Sequence, residues 1–156
     1  MAADYEYFVA SPDRISALDL AKSPVSQLPA GEAVELPGVD PSVVLLALIE
    51  VLSMRSFARL LGDSGGEFVY DGGDAGPWVT VIDDFVVSTI KGADGDPELE
   101  WEDAVALWGD AVGEELEDGV GGGDVDEDAL LEITDELRRL CGSADADHHL
   151  YCWTQL

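Results

Sequence analysis

The sequence predicts an α+β fold in one domain spanning residues 1–156, and three observations predict it. Aromatic and β-branched stretches stand near both ends and in the middle of the chain. The segments between them carry apolar residues at helical spacing. The stretch Asp40 to Gly62, DPSVVLLALIEVLSMRSFARLLG, contains a run from Val43 to Ile49 that is apolar on every side of a helix. A helix of that kind is covered by other elements, so it marks the centre of the core. The expected architecture is a small mixed or antiparallel sheet with terminal strands, packed by about five helices around this central one.

Taken in order, Tyr5 to Ala10 (YEYFVA) reads as a strand, with Tyr5, Tyr7 and Val9 on one face and Phe8 and Ala10 on the other. Ser11-Pro12-Asp13 supplies a cap, a first-turn proline and an acid at the positive end of a short helix running to about Ala21. Lys22 to Gly31, with Pro24 and Pro29, is a loop, and Ala33 to Leu36 a short strand. Pro37-Gly38 turns the chain into the central helix, for which Asp40 is the cap, Pro41 a first-turn residue and Gly62 the stop. Glu67 to Tyr70 is a strand, and Trp78 to Ile82 (WVTVI) an interior one. Asp83 or Asp84 caps a helix that carries Phe85, Val86, Val87 and Ile90 and stops at Gly92. From Pro97 to about Glu117, Trp101, Ala104, Val105, Trp108, Val112 and Leu116 mark the inner face of a helix. After a glycine break at Gly119 to Gly123, a helix from Asp126 to Cys141 points Leu130, Ile133, Leu137 and Leu140 inward. His149 to Leu156 is a terminal strand.

Charge bounds the function more sharply than any motif. There are 34 acidic and 7 basic residues, a formal net charge of −27. Residues 1–60 hold 8 acidic and 4 basic residues, and residues 61–156 hold 26 and 3. Such a field repels nucleic-acid backbones and anionic membranes, so neither is an expected partner. It favours basic proteins and cations. GC-rich coding, adaptation to salt and plain solubility produce the same composition, and only Lys22 and Lys91 represent lysine. No apolar run reaches membrane-spanning length, and the N-terminus lacks the basic and apolar regions of a signal peptide. The expected location is cytoplasmic, where Cys141 and Cys152 are buried thiols.

The outer face of the 97–117 helix carries Glu98, Glu102, Asp103, Asp110 and Glu114, and the following segment adds Asp124, Asp126 and Asp128. These eight carboxylates form the candidate partner-binding surface. Other candidates have weaker support. Asp124, Asp126 and Asp128 occupy the first positions of a calcium loop, but Ala129 and Asp135 stand where that loop needs Gly and Glu, so they read as a helix start. Cys141, His148, His149 and Cys152 are the soft metal ligands, without the paired spacing of structural zinc. Arg55 and Arg59 stand one turn apart on the central helix; they are candidates to receive an anion, but pairing with surface carboxylates is the favoured expectation. Trp101 and Trp108 belong to the core. The chain has no phosphate loop and no dinucleotide fingerprint. No catalytic, cofactor-binding or metal residue is assigned.

Four segments, YEYFVASP from Tyr5, GVDPSVVLLALIEVL from Gly38, PWVTVIDD from Pro77 and LYCW from Leu150, resemble uncharacterised actinobacterial hypothetical proteins. The resemblance rests on fold features and implies no activity or site. The expected function is that of a non-enzymatic, highly acidic interaction protein with a basic protein partner, akin to immunity proteins and antitoxins by charge and size alone. The alternatives are a small enzyme or ligand-binding domain with an unrecognised pocket, and a mimic of a nucleic-acid backbone.

Overall fold

The fold was obtained as a computed structural model that describes residues 3–94, 100–119 and 127–156. Strands β1 (Asp4–Ala10) and β5 (His149–Gln155) pair antiparallel at the centre of one sheet. Beyond β1 lies the short β2 (Ala33–Glu35). Beyond β5 lie β4 (Trp78–Val81) and then β3 (Glu67–Asp71), giving the order β2-β1-β5-β4-β3 with every pair antiparallel. The described helices are α1 (Pro12–Ala17), α2 (Val44–Ser53), α3 (Phe57–Ser64), α4 (Asp84–Asp94), α5 (Trp101–Gly119) and α6 (Glu127–Ser143), with a 3-10 turn at Pro24–Ser26. The protein is an α+β domain.

Strand alternation divides the core into two. Tyr7 and Cys152 face α2, α4, α5 and α6 and join the larger cluster, with Tyr5 and Val9 at its margin. Phe8, Ala10, Val79, Tyr151 and Trp153 face the other way, under Ile15, Leu18, Leu20 and Leu28. The two faces assigned to β1 from its sequence are the two observed. Leu45, Leu46, Leu48 and Ile49 of α2 are fully buried, each contributing roughly 1.5–3 kcal/mol. Trp108 of α5 is also fully buried, and its indole N–H donates to the Val44 carbonyl at 2.8 Å. Gly109 lets α6 come close, since a Cβ there would lie 2.5 Å from Leu130 Cδ1.

Several boundaries differ from the expectation. The central helix is not continuous. Asp40 caps the turn ahead of it, its Oδ1 accepting from the Ser42 and Val43 N–H groups, and regular helix begins at Val44. It ends at Met54, which takes the left-handed conformation (φ 62°) expected eight residues later at Gly62. Ser56 then caps α3 by accepting from the Arg59 N–H, and the Glu50 carboxylate accepts from the Phe57 N–H. Side-chain hydrogen bonds to the backbone at Ser53-Met54-Arg55-Ser56 therefore outweigh the apolar residues on either side. Val43, expected in the core, precedes the helix and is 46% exposed. Helix α1 stops at Ala17 because Leu18 is extended, and α4 continues past Gly92 to Asp94. Within α6 the buried polar residue is Thr134, while Ile133 packs at the margin. The expected helix start at Pro97, and the glycine break beyond Gly119, lie outside the described residues.

Candidate functional site

The expected partner surface is partly described. Glu102, Asp103, Asp110 and Glu114 on α5 and Asp128 at the start of α6 are all exposed, while Glu98, Asp124 and Asp126 lie outside the described residues. Helical spacing places Asp103, Leu107 and Asp110 on one outward stripe, ahead of a kink at Val112. Leu107 is 61% exposed. Across a shallow hollow bordered by Glu50 and Val51 stands Met54, 90% exposed on its left-handed turn. An apolar centre is thus flanked by carboxylates on the α5 side and by Arg55 and Ser56 on the other, a juxtaposition hidden from the sequence because Met54 reads as mid-helix there.

Arg55 borders this hollow, and the other basic side chains among the described residues are engaged elsewhere. Arg14 pairs with Glu32, Lys22 with Asp19, Arg59 with Asp63 and Arg139 with Glu136. Lys91 donates to the Ala144 carbonyl at 2.7 Å. Arg138 lies over the Trp101 ring. Arg55 does not share a helix face with Arg59 as expected: it falls in the break between α2 and α3 and stacks 4.1 Å from the centre of the Phe85 ring. Among the described residues none of Glu102, Asp103, Asp110, Glu114 and Asp128 is in an ion pair. Carboxylates crowd here: the hydrogen bond that a protonated Glu100 carboxyl donates to Asp103, then the Asp103 charge, raises the Glu100 carboxyl above its ordinary range.

The soft metal ligands do not form a centre. Among the described residues, no group of three or more His, Cys, Asp or Glu side chains is placed to hold a metal ion. Cys141 and Cys152 are buried free thiols, and burial pushes each up to about 12. His148 is exposed, with Nδ1 2.9 Å from Asp145 Oδ1, a contact that helps hold that carboxyl below its usual range. His149 Nδ1 is 3.9 Å from Asp84. Of the calcium-loop residues, Asp128 lies in the first turn of α6, as expected for a helix start, while Asp124 and Asp126 are outside the described residues.

Two further hollows open at the ends of the strands. One, of about 460 Å³, is lined by Asp63, Glu67, Asp83, Asp84 and His149. Two of its carboxylates have structural duties: Asp63 pairs with Arg59, and Asp83 caps α4 by accepting from the Phe85 N–H. The other, of about 330 Å³, lies among Tyr5, Asp40, Phe68, Trp78, Thr80 and Thr154. Tyr5 O–H lies 3.5 Å from Asp40 Oδ2, and burial, followed by the Asp40 charge, pushes the phenol up to about 12. No residue of this second hollow was singled out as a site from sequence.

These features define the class of molecule: an α+β domain with an acidic outer helix and an aromatic corner pocket. No family model, curated protein or solved structure matches the chain. Among the described residues no helix is long and apolar enough to cross a membrane.

Proposed function

We propose that the chain is a non-enzymatic, acidic interaction protein that binds a basic protein partner through the outer face of α5. The observation that carries this reading is Leu107, exposed between Asp103 and Asp110 with Met54 across the hollow. Protein interfaces combine an apolar centre with a polar rim. Here the α5 side of the rim is anionic, and Asp103 and Asp110 lack ion-pair partners among the described residues, so it suits an apolar side chain flanked there by Lys or Arg. Immunity proteins and antitoxins are the nearest functional class, by analogy of charge and size alone. A small-ligand role has separate support in the corner pocket.

The test compares the unaltered protein with two variants, Asp103→Lys/Asp110→Lys and Leu107→Ser. Basic proteins retained by the unaltered chain are purified, and their affinities measured as salt rises. Charge reversal should weaken binding about tenfold or more and slow association, and added salt should do the same. Leu107→Ser should weaken binding chiefly through faster dissociation. A partner indifferent both to the reversal and to salt would overturn the charge-driven reading.

A further inference from the structure

The helical layer stops short of one corner of the sheet. Cross-strand register places Tyr5, Thr154 and Trp78 in one row on the helix-facing side, and Tyr7, Cys152, Thr80 and Phe68 in the next. Tyr7 and Cys152 are sealed beneath the helices, with no exposed surface. Tyr5 and Trp78 are only half-buried, and Phe68 is 69% exposed. Among the described residues, this corner is bordered by Asp40 to Ser42, ahead of α2, by Gly65 and Gly66, after α3, and by Leu156 beyond β5. Gly66 cannot fill the gap with a side chain: its φ is +79°, and a Cβ would lie 2.7 Å from the Val81 carbonyl oxygen and 2.9 Å from Thr80 Cγ2. The result is the hollow of about 330 Å³, within the size range of small-ligand sites.

Its lining has a definite chemistry. Tyr5, Phe68 and Trp78 contribute aromatic rings, and among the described residues Asp40 supplies the one carboxylate side chain and no Lys, Arg or His lines it. Asp40 Oδ1 is committed to the Ser42 and Val43 N–H groups, at 2.8 and 2.6 Å. Oδ2 has only the long 3.5 Å contact with Tyr5 and keeps its capacity to accept. Aromatic faces attract cations, a free carboxylate oxygen anchors an N–H donor, and the net charge of −27 concentrates cations nearby. One carboxylate is too few for a dedicated metal site.

We propose that this corner binds an organic monocation, an alkylammonium or alkylguanidinium group, with its charged head at Asp40 Oδ2 and its alkyl stem against Phe68 and Trp78. The same chemistry comes from a free amine or guanidine and from a Lys or Arg side chain of another protein. The inference stands apart from the acidic face of α5, which contributes no residue to the pocket.

The experiment is an amide NMR titration of the whole chain with propylguanidinium, with a doubly blocked Gly-Arg-Gly peptide, and with neutral propylurea. It is run at about 1 M sodium chloride, where the Debye length of about 3 Å suppresses loose condensation of cations on the acidic surface. Saturable shifts centred on Tyr5, Gly66 and Trp78 are expected with propylguanidinium and not with propylurea. Binding of the peptide as well points to a protein-borne side chain, and binding of propylguanidinium alone to a small molecule. Asp40→Asn keeps a capping oxygen and should weaken binding about tenfold. Phe68→Ala removes an exposed ring, leaves the fold intact and should weaken binding about threefold. Absence of a saturable shift, equal binding of propylurea, or unchanged affinity in both variants overturns the proposal.

Discussion

Cys152 lies on the helix-facing side of β5 with no exposed surface, and Tyr7, its cross-strand partner on β1, is equally buried. Burial is the main reason its thiol is pushed from 9.0 up to about 12, and Cys141 at the end of α6 shows the same shift. The folded chain thus holds these protons more tightly than the unfolded one. The stability this contributes is complete below about pH 9 and is lost as pH rises toward about 12. Urea midpoints should hold steady up to about pH 8.5 and fall between about pH 9 and 11. A flat profile across that window would contradict the burial of both thiols. That the cysteines are buried was legible in the sequence. The environment of Glu6 was not. Its carboxylate is buried and accepts from the Ser23 hydroxyl at 2.7 and 2.8 Å and from the Val25 N–H at 2.8 Å. A lone acid in an aromatic strand reads as a solvent-facing position, because its donors come from a distant loop.

At the scale of elements, α2 decides the stability of the helical layer. Leu48 lies in the fully buried part of that helix. Leu48→Ala should cost about 2–5 kcal/mol through lost transfer energy and the cavity left behind. Equilibrium denaturation measures it directly, and a change near zero would mean that α2 is not the core of this layer. The strands were legible because alternation and β-branched or aromatic content mark them locally. The inner face of α5 was legible from its period, down to Val105, Trp108 and Leu116. The division of α2 from α3 was not, because apolar residues continue across it. What ends α2 is a local competition: Ser53 Oγ donates to the Ile49 carbonyl and accepts from the Arg55 N–H, while Met54 turns left-handed.

Over the whole molecule, the described ion pairs leave the outer carboxylates of α5 without a partner among the described residues. The outward position of Glu102, Asp103, Asp110 and Glu114 follows from helical period alone and was legible. The apolar centre between them was not, since it needs Met54 brought opposite Leu107. The corner pocket was less legible still. It is made by the incomplete reach of the helical layer, from side chains that the register of four strands assembles, and no single stretch of sequence carries its signature.

The pairing of β1 with β5 sets a schedule for synthesis. Every residue of β1, from Asp4 to Ala10, finds its partner between His149 and Gln155. A ribosome delivers β1 long before β5, and the other strand beside it, β2, is only three residues long. Closing so long a loop is slow, and the rows containing Tyr7 and Phe8 stay incomplete until β5 emerges. The nascent chain therefore carries a greasy ribbon, matched at most by β2, until β5 emerges. Arrested chains ending before His149 should be cut quickly by protease, and chains tethered beyond Gln155 should resist. Equal resistance would mean that the helices alone can shelter the first strand.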